Sequence, residues 1–424
     1  MFGPRIYLTD IGNHESERVV VAGWVHDVRL LGKINFLILR DKSGLGQIVI
    51  KDKKLAESLN HEDVIKVVGI VKKSASKKFE YEIEAEKVEI LNKAKTPLPL
   101  DPRGMTKTTL KTQLDWRFMY FRTEEAKAIF RIQTEIIKSF RDFFLSHGFV
   151  EMQPPVIIAS ASEGGAELFS LPYFEKNAYL AQSPQLYKQM GAISFEKVFM
   201  IVPVFRAEKF DQPTHLNEIR QMDIEEAFAD DEDVMKRLEK CFVYILENVK
   251  KNCKSELEIL GEKLEIPDLP LKRINYTDAI DKLREIGENI NYGEDLTKTQ
   301  EKKLKEVFGE AFFLVRWPSE LKPFYTMPTE DDEKFVKAFD LIYRGLEISS
   351  GSQRIHSPEL LEKKIKEKGL NPKDFEYYIN AFKYGAPPHA GWSIGLERFT
   401  MKICGKENIK QVTMFPRTRT RILP

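Results

Sequence analysis

Gly391-Trp392-Ser393-Ile394-Gly395-Leu396-Glu397-Arg398 is a glycine-punctuated stretch that runs into a helix ending before Gly405. Small residues let backbone approach a ligand closely, and an arginine at Arg398 can lie flat on a purine ring. A lone glycine-rich turn is weak, and no GxxxxGK[ST] phosphate loop occurs anywhere, so this is not a P-loop ATPase. Upstream, Phe205-Arg206-Ala207-Glu208 follows the apolar run Val198 to Val204. An arginine leaving a strand can place a fixed charged fork on an α-phosphate, and Glu208, read as two residues further on the same strand face, can accept from an adenine amino group. Taken alone, Arg-x-Glu reads as an exposed strand-end ion pair worth under about 1 kcal/mol.

Two further stretches carry chemistry. Phe339 to Gly351 places Asp340 and Glu347 around an apolar strand. Both suit Mg²⁺ on ATP phosphates, because hard cations take carboxylate oxygens; the plainer reading is two surface acids on an edge strand. Gln182 to Lys188, with Arg354 and His356 far along the chain, offers a lysine and an arginine that could converge on a small carboxylate. Each taken singly is an ordinary surface cation.

The chain has 424 residues, of which 42% are hydrophobic and 31% charged. That composition excludes a mostly disordered chain, and the length suits two or three domains. No run of about 18 apolar residues occurs, so no membrane span is expected. Met1 to Asp10 lacks the basic-then-apolar layout of a secretory signal. Three cysteines build neither a disulfide framework nor a four-thiolate zinc site, which favours a reducing, cytoplasmic compartment. The formal charge is +1, yet residues 1–95 carry 17 basic against 14 acidic side chains and residues 401–424 six against one. This distribution hints weakly at a polyanionic partner.

Residues 1–95 read as five short strands separated by turn signals, which suits a small Greek-key barrel of the OB type. Phe36 and Gln47 sit on its second and third strands, an aromatic to stack a base and an amide to read its edge; packing inside the barrel is the other reading of Phe36. Residues 96–122, Pro-rich at their start, read as a linker. From Thr123, apolar residues recur at helical spacing up to Gly148. Strands are expected over 150–158, 178–180 and 198–204, and a helix over 232–250. Residues 255–330 look like an insertion of loops and helices. The fold class is α+β.

In this order, the stretches resemble the class II aminoacyl-tRNA synthetases, and among them the archaeal-type aspartyl enzymes. Gly148 to Pro155 resembles motif 1, Phe205 to Glu208 motif 2 and Gly391 to Arg398 motif 3, while Ser162 to Ala166 resembles the mobile loop over the amino acid. The resemblance covers essentially the whole chain. It implies an antiparallel catalytic sheet flanked by helices over 123–424, an N-terminal OB barrel for the anticodon, and a homodimer built through motif 1. It implies ATP as substrate with Mg²⁺, L-aspartate, and tRNA(Asp) charged on its 3′-hydroxyl. By the same resemblance Arg206 and Arg398 clamp ATP, Glu208 reads adenine and His215 is a further ATP contact. Asp340, Glu347 and Ser350 hold the metal. Glu163, Gln185, Lys188, Asp223, Ser350, Arg354 and His389 surround aspartate. Arg29, Phe36 and Gln47 meet the anticodon. Lys188 and Arg354 decide aspartate over asparagine, because two cations around a neutral amide stay unpaired.

The sequence departs from the pattern at Thr214, where many members have arginine, and at Ile219, where several have an aromatic. His26 stands where members with relaxed tRNA choice tend to carry histidine and strict ones tryptophan, whereas Lys78 stands where relaxed members often have proline. The two point opposite ways; the reading adopted is relaxed, with tRNA(Asn) charged too. The alternatives are an asparaginyl-tRNA synthetase, a paralogue that makes free asparagine, and a catalytically inactive RNA-binding protein.

Overall fold

A computed structural model describes residues 4–31, 34–159 and 168–424. The chain divides into two compact units, residues 1–108 and 109–424.

In the first unit, strands β1 (Arg18–Leu31), β2 (Ile34–Arg40), β3 (Leu45–Ile50), β4 (Val64–Lys73) and β5 (Tyr81–Asn92) close into a barrel in the order β1-β2-β3-β5-β4, with helix α1 (Lys53–Ser58) between β3 and β4. Closure leaves no edge to aggregate. Alternation puts Val19, Val21, Val25, Leu37, Leu39, Ile48, Ile65, Val67 and Ile83 inside, each almost fully buried. Gly23 is required where β1 crosses β2, since a Cβ there would lie 2.2 Å from the Arg40 carbonyl oxygen.

The second unit opens with helices α2 (Leu110–Asp115), α3 (Arg117–Tyr120) and α4 (Glu124–Ser146). The linker expected over 96–122 is therefore largely helical in its second half. Arg117 anchors it: the guanidinium is buried and donates to the carbonyls of Met414 (2.8 Å), Lys410 (3.1 Å), Gln411 (3.2 Å) and Thr413. Thr123 caps α4 through its hydroxyl, which accepts from the Ala126 amide. The single strand expected over 150–158 is two short ones, β6 (Val150–Glu151) and β7 (Ile157–Ile158), because Pro154 and Pro155 between them lack amide donors. Strands β8 (Ser170–Tyr173) and β9 (Lys176–Leu180) join β7 in a small sheet.

Helix α5 (Gln185–Phe195) leads into β10 (Lys197–Phe205) and β11 (Glu218–Ala227), followed by α6 (Asp231–Asn252), α7 (Lys254–Leu260), β12 (Lys272–Asn275), α8 (Tyr276–Glu285), α9 (Lys298–Phe308) and β13 (Ala311–Pro318). Next come β14 (Phe335–Tyr343), β15 (Leu346–Arg354), α10 (Pro358–Glu367), α11 (Glu376–Lys383), β16 (His389–Gly395) and α12 (Leu396–Ile403). The central sheet runs β12-β13-β14-β15-β16-β11-β10-β6, antiparallel at its centre. Residues 255–330 thus do more than add loops and helices: β12 and β13 extend this sheet, and β13 is a short continuous apolar run, Ala311 to Val315, set among Lys/Glu-rich helices. On one face Met222, Ile224, Phe339, Leu341, Trp392 and Ile394 pack against the apolar stripes of α4, α6 and α12. The other face is polar and carries the site.

Candidate active site

Cross-strand register assembles the polar face. Asp340 of β14 stands opposite Ser350 of β15, Ser350 opposite Ser393 of β16, and Ser393 opposite Asp223 of β11. One row further on, Ser352, Gly391 and Glu225 align in the same way. Directly opposed residues share a face, so four strands build one polar floor. Glu347 would point away from Ser350 in a regular strand, being three residues distant. A bulge between the pairs Leu341–Ser349 and Ile342–Glu347 brings it back to the Asp340 side.

Lys188 and Arg354, 166 positions apart in sequence, meet at the same carboxylate. Lys188 Nζ donates to Asp223 Oδ1 at 2.8 Å and lies 3.6 Å from Glu225 Oε2. Arg354 grips Glu225 with Nε (2.9 Å) and Nη2 (3.3 Å), and also donates to Ser352 Oγ (2.6 Å) and the Gly391 carbonyl (2.9 Å). All four charged side chains are buried. Burial alone would push the Glu225 carboxyl up, but Arg354 and Lys188 hold it below its ordinary value. Gly391 earns its place here: a Cβ would lie 2.2 Å from Glu225 Oε2. The close approach is therefore to a side chain of the protein, not to a ligand as the sequence suggested.

This pairing corrects the electrostatic argument drawn from sequence. Each cation already has a buried acid, so a neutral ligand would not leave two cations unpaired. Discrimination between carboxylate and amide has to come from where the remaining donor hydrogens of Lys188 and Arg354 point, which is a matter of geometry. Glu225 was missed, although Asp223 and Glu225 alternating with Met222 and Ile224 on one strand was a readable signal.

Lys188, Arg354, Gln185, Asp223, Ser350 and Arg206 line a cavity of about 210 Å³. A second cavity of about 120 Å³ adjoins it, sharing Arg206, Glu347 and Ser350, and adds Glu208, His215, Ile219 and Arg398. Arg206 and Glu208 lie just beyond β10 rather than on it; Asn217 fixes both by donating to their carbonyls at 2.8 and 3.0 Å. His389 lies behind the first cavity. Its Nε2 accepts from Gln189 (2.9 Å), whose Oε1 takes the Gln185 amide and the Tyr378 hydroxyl, both at 2.9 Å. Its Nδ1 donates to the Pro387 carbonyl, and burial keeps the ring neutral. Glu163 and the loop Ser162 to Ala166 lie outside the described residues.

In the second cavity, burial and the neighbouring Arg398, Lys298 and Arg206 push His215 down to about 4. The neutral ring accepts from Arg398 through Nε2 (3.4 Å) and donates from Nδ1 to Thr214 Oγ1 (3.0 Å). Burial would raise Glu347, but Arg398, Lys298 and Lys322 hold it at about 2. Asp340 is buried, its Oδ2 takes Lys322 Nζ at 2.7 Å, and its Oδ1 has no hydrogen-bond partner. No group of three or more His, Cys, Asp or Glu side chains gathers among the described residues. Two carboxylates and a hydroxyl on one face, one oxygen unpartnered, fit a hard cation that draws its other ligands from phosphate and water.

On the barrel, Arg29 and Phe36 face each other across β1 and β2, Phe36 faces Val49, and Gln47 is two residues along β3 on that same outer face. Phe36 is half-buried. Gln47 is buried, its amide donating to Glu82 (2.6 Å) and Ser74 (3.2 Å), and Arg29 donates to Asp27 at 3.3 Å. His26 falls at a bulge in β1, half-buried, with its carbonyl taking His61 Nδ1 at 3.0 Å. Lys78 is exposed in the β4–β5 connection.

Comparison with known proteins gives the arrangement its context. Residues 109–419 match the family model of class II tRNA synthetases (D, K and N), and residues 19–91 that of the OB-fold nucleic acid binding domain. A Methanocaldococcus jannaschii protein named aspartate--tRNA(Asp/Asn) ligase is 47% identical over 97% of this chain and 95% of its own. A Pyrococcus abyssi protein named aspartate--tRNA(Asp) ligase is 46% identical over 96% of this chain and 97% of its own. The solved asparaginyl-tRNA synthetase of Pyrococcus horikoshii with asparaginyl-adenylate superposes with a TM-score of 0.95 at 33% identity, covering 99% of this chain and 100% of that one. With both units matched and the polar sheet face assembled as described, the chain belongs to the class II tRNA synthetases of the D, K and N group.

Proposed function

We propose that this protein is an ATP-dependent ligase that attaches L-aspartate to tRNA(Asp) and also to tRNA(Asn). The observation that carries the choice of amino acid is the set of relatives at 45–47% identity that are named for aspartate; the buried Lys188–Glu225–Arg354 cluster supports it by presenting two cations whose remaining donor hydrogens can take a side-chain carboxylate. Similarity of fold does not decide it, since an asparaginyl enzyme shares the architecture closely.

The aspartate α-carboxylate attacks the α-phosphorus of ATP, forming the mixed anhydride and expelling pyrophosphate. The terminal 3′-hydroxyl of tRNA then attacks the anhydride carbonyl, and AMP leaves. No protein nucleophile is needed. Arg206, shared by both cavities, holds the α-phosphate between them, and Arg398 supports the nucleotide from α12. Glu208 reads the adenine amino group, and neutral His215 orients Arg398. Asp340, Glu347 and Ser350 hold Mg²⁺, which supplies charge neutralisation on the phosphates when bound. Gln185 and Asp223 take the amino acid's ammonium; His389 acts through Gln189 on Gln185. The outer barrel face at Arg29, Phe36 and Gln47 receives the anticodon, and two copies associate through the motif 1 segment, where Val150 is exposed, together with its flanks, where Leu145 and Ile157 are exposed.

Amino-acid-dependent pyrophosphate exchange tests the reading: exchange with aspartate and none with asparagine is expected, and the reverse result overturns it. Relaxed tRNA choice is read from His26 and tested by charging transcripts of both tRNAs; no aspartate on tRNA(Asn) sinks that part alone.

A further inference from the structure

Helix α9, within residues 255–330, for which no role is evident from sequence, enters the nucleotide cavity's surroundings. Thr297 caps it, with a capping box to Gln300, so its first turn is fixed in space. Two residues of that turn face Glu347. Glu301, buried, accepts the backbone amide of Glu347 at 2.8 Å and Lys298 Nζ at 2.6 Å. Lys298 Nζ in turn lies 3.6 Å from Glu347 Oε2, the same oxygen that Arg398 Nη1 approaches at 3.4 Å. Glu347 therefore stands between two cations, one from α9 and one from α12, and Glu301 anchors both Lys298 and the strand that carries Glu347. Lys298 keeps 30% of its side chain exposed, unlike Lys188 at 1%. It is a tethered cation with access to solvent beside the ATP cavity, and its field reaches His215 across that cavity.

We propose that Lys298 is a further ATP-binding residue: its ammonium, aimed by Glu301, takes the outer phosphates of the triphosphate on the side opposite Arg398. The inference rests on reading this cavity as the nucleotide site. The chemistry requires it to act on the β- and γ-phosphates, because Arg206 stands at the junction with the amino-acid cavity, where the α-phosphate must react. An ammonium on a flexible stem can follow the leaving pyrophosphate without a fixed fork geometry.

The full-length protein is tested as Lys298→Met and Lys298→Arg. The expected result is that Lys298→Met raises the KM for ATP in aspartate-dependent pyrophosphate exchange about tenfold, with the KM for aspartate unchanged. In calorimetry, Lys298→Met weakens binding of a non-hydrolysable ATP analogue with Mg²⁺ by a similar factor but leaves AMP binding as in the parent, since AMP lacks the outer phosphates. Lys298→Arg retains most of the affinity. The proposal is overturned if the analogue binds Lys298→Met as well as the parent, or if AMP and aspartate weaken equally, which is the signature of a structural role. If the parent itself binds neither analogue nor AMP, or Arg398→Ala leaves both unchanged, the reading of the cavity fails and takes this inference with it.

Discussion

Glu225 binds no expected substrate, yet it sets the charge of the amino-acid cavity. With Asp223 it balances Lys188 and Arg354, so the buried network is neutral before a ligand arrives. Breaking a buried pair leaves an uncompensated charge, so Glu225→Gln should lower unfolding free energy by about 3–5 kcal/mol, read from urea midpoints. Lys188→Met should abolish aspartate-dependent pyrophosphate exchange while analogue binding in the ATP cavity persists. Glu397, at the start of α12, behaves differently. Burial pushes its carboxyl up to about 7, and the Arg220 amide donates to both oxygens at 3.0 Å. The fold therefore prefers the protonated acid. Its contribution is complete below about pH 4.5 and is lost as pH rises to about 7, a swing of roughly 3 kcal/mol. Glu397→Gln should flatten that slope in urea titrations taken from pH 4.5 to 8.

At the level of elements, the site depends on how strands pass one another. Gly391 on β16 allows Glu225 of β11 and Arg354 of β15 to meet over it. A methyl group there, 2.2 Å from Glu225 Oε2 and 2.3 Å from the Ile224 carbonyl, must displace the network. Gly391→Ala should cost roughly 1–3 kcal/mol of stability and remove aspartate activation together, measured by denaturation and exchange on the same preparation. The bulge in β15 has a comparable role, because it turns Glu347 to the face of Asp340 and Ser350. For α4, by contrast, local chemistry suffices. Thr123→Ala should cost about 1 kcal/mol through the lost cap, without altering either substrate's KM.

Across the whole molecule, two units each own a core. The barrel's apolar residues pack among themselves, so residues 1–108 expressed alone should fold cooperatively, seen as a dispersed amide spectrum and a single thermal transition. An unstructured fragment would contradict that independence. The sequence by itself determined what local pattern and short motifs can carry: the five barrel strands, the capped helix α4, the strand ending near Phe205, and the short motifs that resemble the family. Period-two alternation and cap residues act within a few positions, so they are readable along the chain. Only the tertiary structure decided which charges meet. Lys188 and Arg354 share Glu225, Asp340 is engaged by Lys322, and Lys298 reaches Glu347 from a segment without an evident role in the sequence. These partners lie tens to hundreds of positions apart, and strand register with a single bulge sets whether they face one another. The charge balance of a buried site is a sum over such partners, and no local pattern contains it.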